Sequence, residues 1–229
     1  MKKSFTSIDA AEGGRFDAYV STPSQANGQA VIVLQEIFGV TSAVRGIADR
    51  FAQDGYLAFA PDLFWREQAG IELSHSREDI AKAMAILARY RDDDGLSDVG
   101  STVRHILGLP GFTGKIAVAG MCLGGKLAYL AATRADVDAA VAFYGVGIET
   151  RLDMATALKC PLLLHFGDQD SYVPALARQQ IGVAFDGRAS VQLHVYAGAG
   201  HGFYTRGNPA DVALARERTN AFLQQQMRA

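Results

Sequence analysis

Short apolar runs alternate along this chain with longer segments whose apolar positions recur every three or four residues. The short runs are typical of buried strands, and the longer segments are typical of amphipathic helices. The pattern predicts strands over residues 15–21, 30–34, 56–61, 115–120, 139–145, 160–167 and 191–198. It predicts helices over residues 41–55, 76–91, 95–109, 123–135, 174–185 and 211–226.

The alternation of strands and helices indicates the fold class. Strands rich in Val, Ile and Leu, joined by crossover helices, predict an α/β fold with a mostly parallel sheet that helices cover on both faces. The 229 residues contain no repeat, no linker and no break in composition, so we expect one domain over residues 1–229. Ligands bind at the carboxyl ends of the strands in such a sheet. The loops that follow the strands are therefore the places to search for chemistry.

Composition and charge narrow the possible functions. With 49% hydrophobic residues, 20% charged residues and a net charge of −2, the chain has no basic surface for nucleic acid or anionic membranes. The first residues lack the apolar stretch of a secretory signal, and no apolar run approaches the ~18 residues of a membrane helix. Two cysteines make no disulfide framework. We expect a cytoplasmic protein with reduced thiols that binds neither nucleic acid nor membrane.

Residues 120–124 spell G-M-C-L-G between a predicted strand and a predicted helix. In a nucleophile elbow, a sharp turn from strand to helix raises the nucleophile above the sheet, and small residues on either side make room for the turn. Cys122 stands at the tip, where the N-terminus of the helix favours a thiolate. The alternative is a buried cysteine on a glycine-rich turn, but the flanking strand and helix favour the elbow.

Two later loops offer a base and an acid. His201 follows the last predicted strand between glycines, whereas the other four histidines lie in or beside predicted helices and strands. Between Cys122 and His201, the turn after a strand offers Asp168 and Asp170. We favour Asp170 as the acid because it reaches further past the strand end, while Asp168 could cap the turn. Cys122, Asp170 and His201 then follow the order nucleophile, acid, histidine that is typical of α/β-hydrolases.

The loop "QEIFGV" after the strand 30–34 adds further candidates. In this fold the N–H after the nucleophile, here that of Leu123, is one oxyanion donor, and a loop near the start of the sheet supplies the other. Ile37 is in position to supply that second donor. Glu36 is either a solvated loop charge or a carboxylate that enters the site and interacts with Cys122.

Other candidates have less specific patterns. Cys160 precedes a proline at the start of a strand, and we expect it to be structural. In "APDLFWRE", Asp62 could fix its own loop and Trp65 could line a pocket. Tyr144, at the end of the strand 139–145, is another candidate substrate contact.

Six segments of the chain closely resemble the dienelactone hydrolases (carboxymethylenebutenolidases), from about residue 30 to the final helix. They are "QEIFGV", "APDLF", "GMCLGGKLAYL", "AVAFYGVGIE", "LLLHFGDQDSYVP" and "GHGFYTR". The cysteine elbow combined with Q-E-I-F-G makes this resemblance more specific than a general α/β-hydrolase match. It implies a monomeric, minimal α/β-hydrolase with no lid domain, no metal and no cofactor. Such enzymes open the lactone ring of dienelactone to maleylacetate during chloroaromatic breakdown.

The resemblance also implies roles for single residues. The nucleophile, acid and base assigned above keep their roles, and Glu36 would match a glutamate that interacts with the resting cysteine and is displaced by substrate. The family binds the carboxylate of its substrate with arginines, for which Arg206 and Arg77 are candidates. Arg206 follows His201 by five residues, whereas the best-known pattern has four. Arg77 lies in the least similar stretch, where a helical arginine is commonly just solvated.

Three functions are open at this point. The first is hydrolysis of dienelactone through a thioester on Cys122. The second is hydrolysis of another activated lactone or an aryl ester on the same fold, which the altered spacing of Arg206 favours. The third is a binding module that uses Cys122 only for redox sensing, and the complete set of nucleophile, acid and base argues against it.

Overall fold

A computed structural model describes residues 1–134 and 136–228. The chain divides into two compact units, Met1–Ile116 and Ala117–Ala229. In each unit helices pack against strands. The expectation of a single domain over residues 1–229 stays a prediction.

The first unit contains four strands and three helices. Its strands are β1 (Lys2–Asp9), β2 (Arg15–Thr22), β3 (Ala30–Leu34) and β4 (Leu57–Pro61). They lie in the order β1-β2-β4-β3; β2 is antiparallel to both β1 and β4, and β3 and β4 are parallel. Its helices are α1 (Ser42–Gln53), α2 (Arg77–Leu87) and α3 (Asp92–Leu107).

The second unit is built on parallel strands. They are β5 (Ile116–Met121), which starts at the unit boundary, β6 (Ala139–Phe143), β7 (Leu162–Gly167) and β8 (Val191–Tyr196). Their order is β5-β6-β7-β8, and each pair is parallel. The helices are α4 (Leu123–Arg134), α5 (Ala175–Ala184), α6 (Phe203–Arg206) and α7 (Pro209–Gln226), with a 3-10 segment over Ile148–Ala157. The predicted α/β class with mostly parallel strands is confirmed.

The hydrophobic pattern placed the strands well. Every predicted strand is present, with its ends shifted by at most two residues. Every residue of β5, β6 and β7 is buried, as expected for parallel strands covered on both faces. The predicted helices are present as well, and only the last residue of the helix over 123–135 lies outside the described residues.

Three elements were not predicted: β1, the 3-10 segment and α6. The strand β1 pairs with β2 along its whole length, yet it buries only Ile8. Backbone hydrogen bonds to β2 are enough to form this edge strand, and because most of its side chains are not buried, the sequence has little apolar pattern to detect there.

Candidate active site

Cys122 is the single residue between β5 and α4. Its backbone is left-handed, with φ = +54°, a conformation that costs a residue with a side chain about 1–2 kcal/mol. The turn is tied at both ends, because the Cys122 N–H donates to the Phe143 carbonyl at 3.1 Å and its carbonyl accepts the Lys126 N–H at 3.2 Å. Leu123 begins α4, so its N–H has no acceptor within the helix. This is the backbone geometry of the predicted elbow.

Glycines make room for this turn. A Cβ at Gly120 would overlap the carbonyl oxygen of Gly124. A Cβ at Gly125 would lie 2.6 Å from the Phe143 oxygen and 2.8 Å from the Gly145 Cα. Because all these neighbours are backbone atoms, they cannot swing aside. Glycine is therefore required at positions 120 and 125 by the close approach of the backbone segments.

Asp170 and His201 are brought together by the loops that follow β7 and β8. The Asp170 Oδ2 atom lies 2.8 Å from His201 Nδ1. Its other oxygen, Oδ1, accepts the N–H groups of Tyr172 at 2.8 Å and Val173 at 3.2 Å. Because a carboxylate only accepts hydrogen bonds, His201 carries its hydrogen on Nδ1, and Nε2 of the neutral ring is an acceptor. The pair has the arrangement of an acid that orients a general base.

The environment keeps Asp170 ionised. Its side chain is inaccessible to solvent, and this burial acts to raise its pKa. The hydrogen bond and the electrostatic interaction with His201, together with the two backbone N–H groups, outweigh burial, so the pKa of Asp170 lies below its ordinary value.

Asp168 fixes the loop instead of reaching the histidine. Its Oδ1 accepts the Gly198 N–H at 2.7 Å. The neighbouring backbone is tied to the same loop, since the Gln169 N–H donates to the Ala199 carbonyl at 3.0 Å. Asp168 thus joins the loop of Asp170 to the loop of His201, and the role of Asp170 as the catalytic acid stays a prediction.

Two tyrosines border the His201 ring. The ring centre of Tyr144 lies 4.9 Å away, and that of Tyr172 lies 4.8 Å away. Tyr144 is held in a left-handed conformation with φ = +39°, and its N–H donates to the His165 carbonyl at 2.7 Å. Tyr172 is 63% exposed and was not singled out from the sequence. The sequence did offer one indication that Tyr172 lies near the site, since it stands two residues after Asp170 in a loop at the carboxyl end of a strand.

Arg206 also lies beside the histidine loop. It ends α6, and its guanidinium folds back over Gly202, where a Cβ would overlap it. The Arg206 Nη1 donates to Thr205 Oγ1 at 3.2 Å, and the Tyr144 hydroxyl approaches the same oxygen at 3.4 Å. A cavity of about 190 Å³ is lined by His201, Gly202 and Arg206 among others. The five-residue spacing therefore still places a cation next to His201.

Four predicted site residues belong to the first unit. Glu36 is buried, Ile37 is half-buried, and Arg77 is exposed at the start of α2. Their predicted roles stay predictions. Trp65 is engaged within its own unit: its Nε1 donates to Asp98 Oδ2 at 3.0 Å, and its ring stacks on Phe16. A contact between Trp65 and substrate also stays a prediction.

Asp62 and Cys160 have the contacts of structural residues. Asp62 accepts the N–H groups of Phe64 at 2.9 Å and Gly70 at 2.8 Å, so it fixes its loop as expected. Burial, and then the charge of Asp138, raises the pKa of Cys160 to about 12. Cys160 is therefore a protonated thiol near neutral pH.

The described residues also bear on metal binding and membrane insertion. Over residues 1–134 and 136–228, His, Cys, Asp and Glu side chains form no group of three or more that could hold a metal ion. Within the same residues, no helix combines the length and the apolar character that crossing a membrane requires.

Comparison with known proteins extends this picture over the whole chain. The sequence model of the "Dienelactone hydrolase family" matches residues 16–228. The carboxymethylenebutenolidase of Pseudomonas sp. (strain P51) is 39% identical, over 94% of this chain and 90% of that protein. The carboxymethylenebutenolidase of Pseudomonas putida is 36% identical, over 95% of this chain and 94% of that protein.

Solved structures agree with the sequence relatives. One from Klebsiella pneumoniae subsp. pneumoniae matches with a TM-score of 0.83 and 26% identity, over 98% of this chain and 100% of that chain. The dienelactone hydrolase from Anabaena variabilis matches with a TM-score of 0.75, over 99% of each chain, and at 18% identity this likeness concerns the fold alone. The chain belongs to the dienelactone hydrolase family and is a hydrolase of the lactone and ester class.

Proposed function

We propose that this chain opens the lactone ring of dienelactone (4-carboxymethylenebut-2-en-4-olide) to maleylacetate through a thioester on Cys122. Cys122 is the nucleophile, His201 the base, and Asp170 the acid that orients the base. The observation that carries the proposal is the 2.8 Å hydrogen bond between Asp170 and His201 in the unit that also holds the elbow at Cys122. The relatives named carboxymethylenebutenolidase support the choice of substrate.

The first half of the reaction forms the thioester. The Cys122 thiolate attacks the lactone carbonyl carbon, and the new C–S bond leaves negative charge on the carbonyl oxygen. The Leu123 N–H, at the N-terminus of α4, donates to this oxyanion, and the predicted second donor is the Ile37 N–H. When the intermediate collapses, the ring C–O bond breaks, and the ring oxygen leaves as a conjugated enolate.

The second half releases the product. His201 Nε2 removes a proton from water, and the oxygen of that water forms a bond to the thioester carbon. Asp170 stabilises the imidazolium that results. The C–S bond then breaks and the thiolate returns. The imidazolium gives up the proton it took from water, and the enolate takes up that proton at carbon to give the ketone of maleylacetate.

The leaving group explains why a cysteine suits this reaction. A thiolate is a strong nucleophile, and a conjugated enolate leaves with little help from an acid. The alkyl amine of an amide, in contrast, must be protonated before it leaves. The proposal therefore includes activity on activated lactones and aryl esters, and little activity on amides or plain alkyl esters.

Two arginines, two aromatic residues and Glu36 supply the remaining proposed contacts. Arg206, beside His201, would bind the substrate carboxylate, since a guanidinium matches that group in geometry and charge. Arg77 would be a second contact, Tyr144 and Trp65 would contact the ring, and Glu36 would hold Cys122 in the resting enzyme. A cytoplasmic monomer without cofactor is the form we propose.

Steady-state kinetics test this function. The wild type is compared with Cys122→Ala on cis- and trans-dienelactone, p-nitrophenyl acetate and an alkyl amide. We expect turnover of at least one dienelactone isomer, weaker turnover of the aryl ester, none of the amide, and at least about a 10³-fold loss in the variant. Equal turnover of amide and dienelactone, or full activity of Cys122→Ala, would contradict the proposal.

A second candidate is a related hydrolase of another activated lactone or aryl ester. The observation that favours it is that Thr205, not an arginine, stands four residues after His201, where the Tyr144 hydroxyl approaches it at 3.4 Å. The same substrate panel separates the two, because an aryl ester turned over far faster than either dienelactone isomer favours this second function.

A further inference from the structure

The strand that precedes the His201 loop ends at a buried polar cluster with no part in the proposed reaction. His165, in the middle of β7, is fully buried. Its Nδ1 lies 2.9 Å from the hydroxyl of Tyr196, and its Nε2 lies 3.2 Å from the hydroxyl of Thr219. A buried ring is costly unless its polar atoms are hydrogen-bonded. Here both nitrogens have partners.

The ring of His165 is fixed in one protonation state and one orientation. Burial, followed by the charges of His194 and Arg218, holds its pKa well below the ordinary value. A neutral imidazole has one donor and one acceptor nitrogen, and the two hydroxyl groups complement both. Phe143 stacks on the ring at 4.7 Å with an angle of 9° between the planes, which resists rotation.

Tyr196 connects this ring to both loops of the acid–base pair. It is the last residue of β8, and its carbonyl accepts the N–H of Asp168 at 3.0 Å and that of Ala199 at 3.3 Å. Its ring packs 4.8 Å from the ring of Phe203, two residues after His201. A displacement of Tyr196 would therefore move the start of the histidine loop and its junction with the acid loop.

We propose that the hydrogen bond between His165 and Tyr196 positions His201 for catalysis. Both are positioning residues, since they act through the loop over residues 197–200 and not on the reacting atoms. The inference rests on the proposed role of His201 as base. It goes beyond that role because it states that two residues outside the site, His165 and Tyr196, hold His201 at the correct distance and angle to Asp170.

Few charged groups face this cluster. Arg218 of α7 lies over the Tyr196 ring at 5.2 Å and also hydrogen-bonds to the Tyr196 hydroxyl. His194 of β8 lies 5.7 Å from the His165 ring. Asp211, also of α7, acts on the Tyr196 hydroxyl by its charge. The substitutions below leave all three in place, so these charges are the same in every variant compared.

Two substitutions of His165 separate the two hydrogen bonds. An asparagine amide reaches about as far as Nδ1 and can still pair with Tyr196, whereas a glutamine amide reaches about as far as Nε2 and can still pair with Thr219. We expect His165→Asn to keep kcat on p-nitrophenyl acetate within about threefold, and His165→Gln to lower it about tenfold with KM nearly unchanged. If the two substitutions lowered kcat equally, or if His165→Asn lowered it more than His165→Gln, the proposal would be overturned.

A pair of Tyr→Phe substitutions gives a test that does not depend on folding of the His165 variants. Tyr196→Phe removes the hydroxyl that faces His165, and with it the hydrogen bond between that hydroxyl and Arg218, whereas the two His165 substitutions leave the Arg218 contact in place. Tyr129→Phe, the control, removes a hydroxyl that donates to the Arg151 carbonyl at 2.8 Å, away from both loops. We expect both to lower Tm, but only Tyr196→Phe to lower kcat about tenfold. A similar kcat for the two variants would overturn the proposal.

Proton NMR separates this inference from the proposed function. The proton between His201 Nδ1 and Asp170 gives a low-field signal, which Asp170→Asn should remove. We expect that signal to weaken or broaden in Tyr196→Phe and to be unchanged in Tyr129→Phe, even if dienelactone is not the substrate. An unchanged signal in Tyr196→Phe would refute positioning, whereas loss of activity on every substrate in the wild type would refute the proposed function alone.

Discussion

Two aspartates in the loop after β7 have different hydrogen-bond partners. Asp170 faces the His201 ring, and Asp168 accepts the Gly198 N–H. The sequence favoured Asp170 because it stands further past the strand end. The partner of Asp168 could not be predicted, because it depends on the register between two loops about thirty residues apart in the chain.

Because the two aspartates have different partners, we expect their substitution to lower activity by different amounts. Asp170→Ala removes the group that orients the base, so kcat/KM on p-nitrophenyl acetate should fall about 10³-fold. Asp168→Ala removes one loop hydrogen bond, which should lower Tm and cost less than about tenfold in kcat/KM. Steady-state kinetics and thermal melts of both variants check this. Equal losses of activity would mean that the two carboxylates have not been assigned correctly.

Glu36 is tested through the reactivity of Cys122. If this buried carboxylate interacts with the resting thiol, Glu36→Gln should change the rate at which iodoacetamide alkylates Cys122 without substrate. The rate is followed by mass spectrometry of the Cys122 peptide, with the buried Cys160 of the same chain as an internal control. An unchanged rate would leave Glu36 as a loop charge.

At the scale of elements, runs of apolar residues predicted the strands and helices that carry the site. Apolar runs did not predict the elements whose formation does not depend on burying apolar side chains. The strand β1 is an exposed edge, and α6 is a single turn that follows the left-handed Gly202, with φ = +76°. The buried pair of His165 and Tyr196 was missed for a related reason, since a histidine within an apolar strand looks like any other core position until its partners are known.

The junction of β5 and α4 depends on glycine. Gly125→Ala places a Cβ 2.6 Å from the Phe143 oxygen, so we expect a loss of about 1–3 kcal/mol in the free energy of unfolding. Gly182→Ala in α5 is the control, because a Cβ there meets nothing within 4 Å. That change should stabilise the chain by about 0.5–1 kcal/mol. Urea unfolding measures both, and similar values would refute the steric argument.

For the molecule as a whole, the sequence predicted the class of fold, and the roles it assigns to Cys122, Asp170 and His201 stay predictions. What it left open is chemical detail, above all the substrate. The arginine that follows His201 by five residues still reaches the histidine loop by folding over Gly202, a contact that residue spacing alone does not reveal.

The stability of the chain in acid should depend on Asp170. Its pKa lies below the ordinary value in the folded chain, so this carboxylate stabilises the fold above about pH 4. The contribution is lost as the pH falls through the lower, folded-state pKa. Below about pH 4, Tm of the wild type should therefore fall more steeply than that of Asp170→Asn. Parallel Tm curves for the two proteins would contradict the shift.

Mass spectrometry of the acylated enzyme tests the central claim most directly. The wild type is mixed with p-nitrophenyl acetate, quenched in acid within the first turnovers and digested. The account predicts an acetyl thioester on the Cys122 peptide that accumulates while substrate is present, decays when it is exhausted, and is absent from Cys122→Ala. Turnover with an unmodified Cys122, or with the acyl group on another side chain, would contradict it.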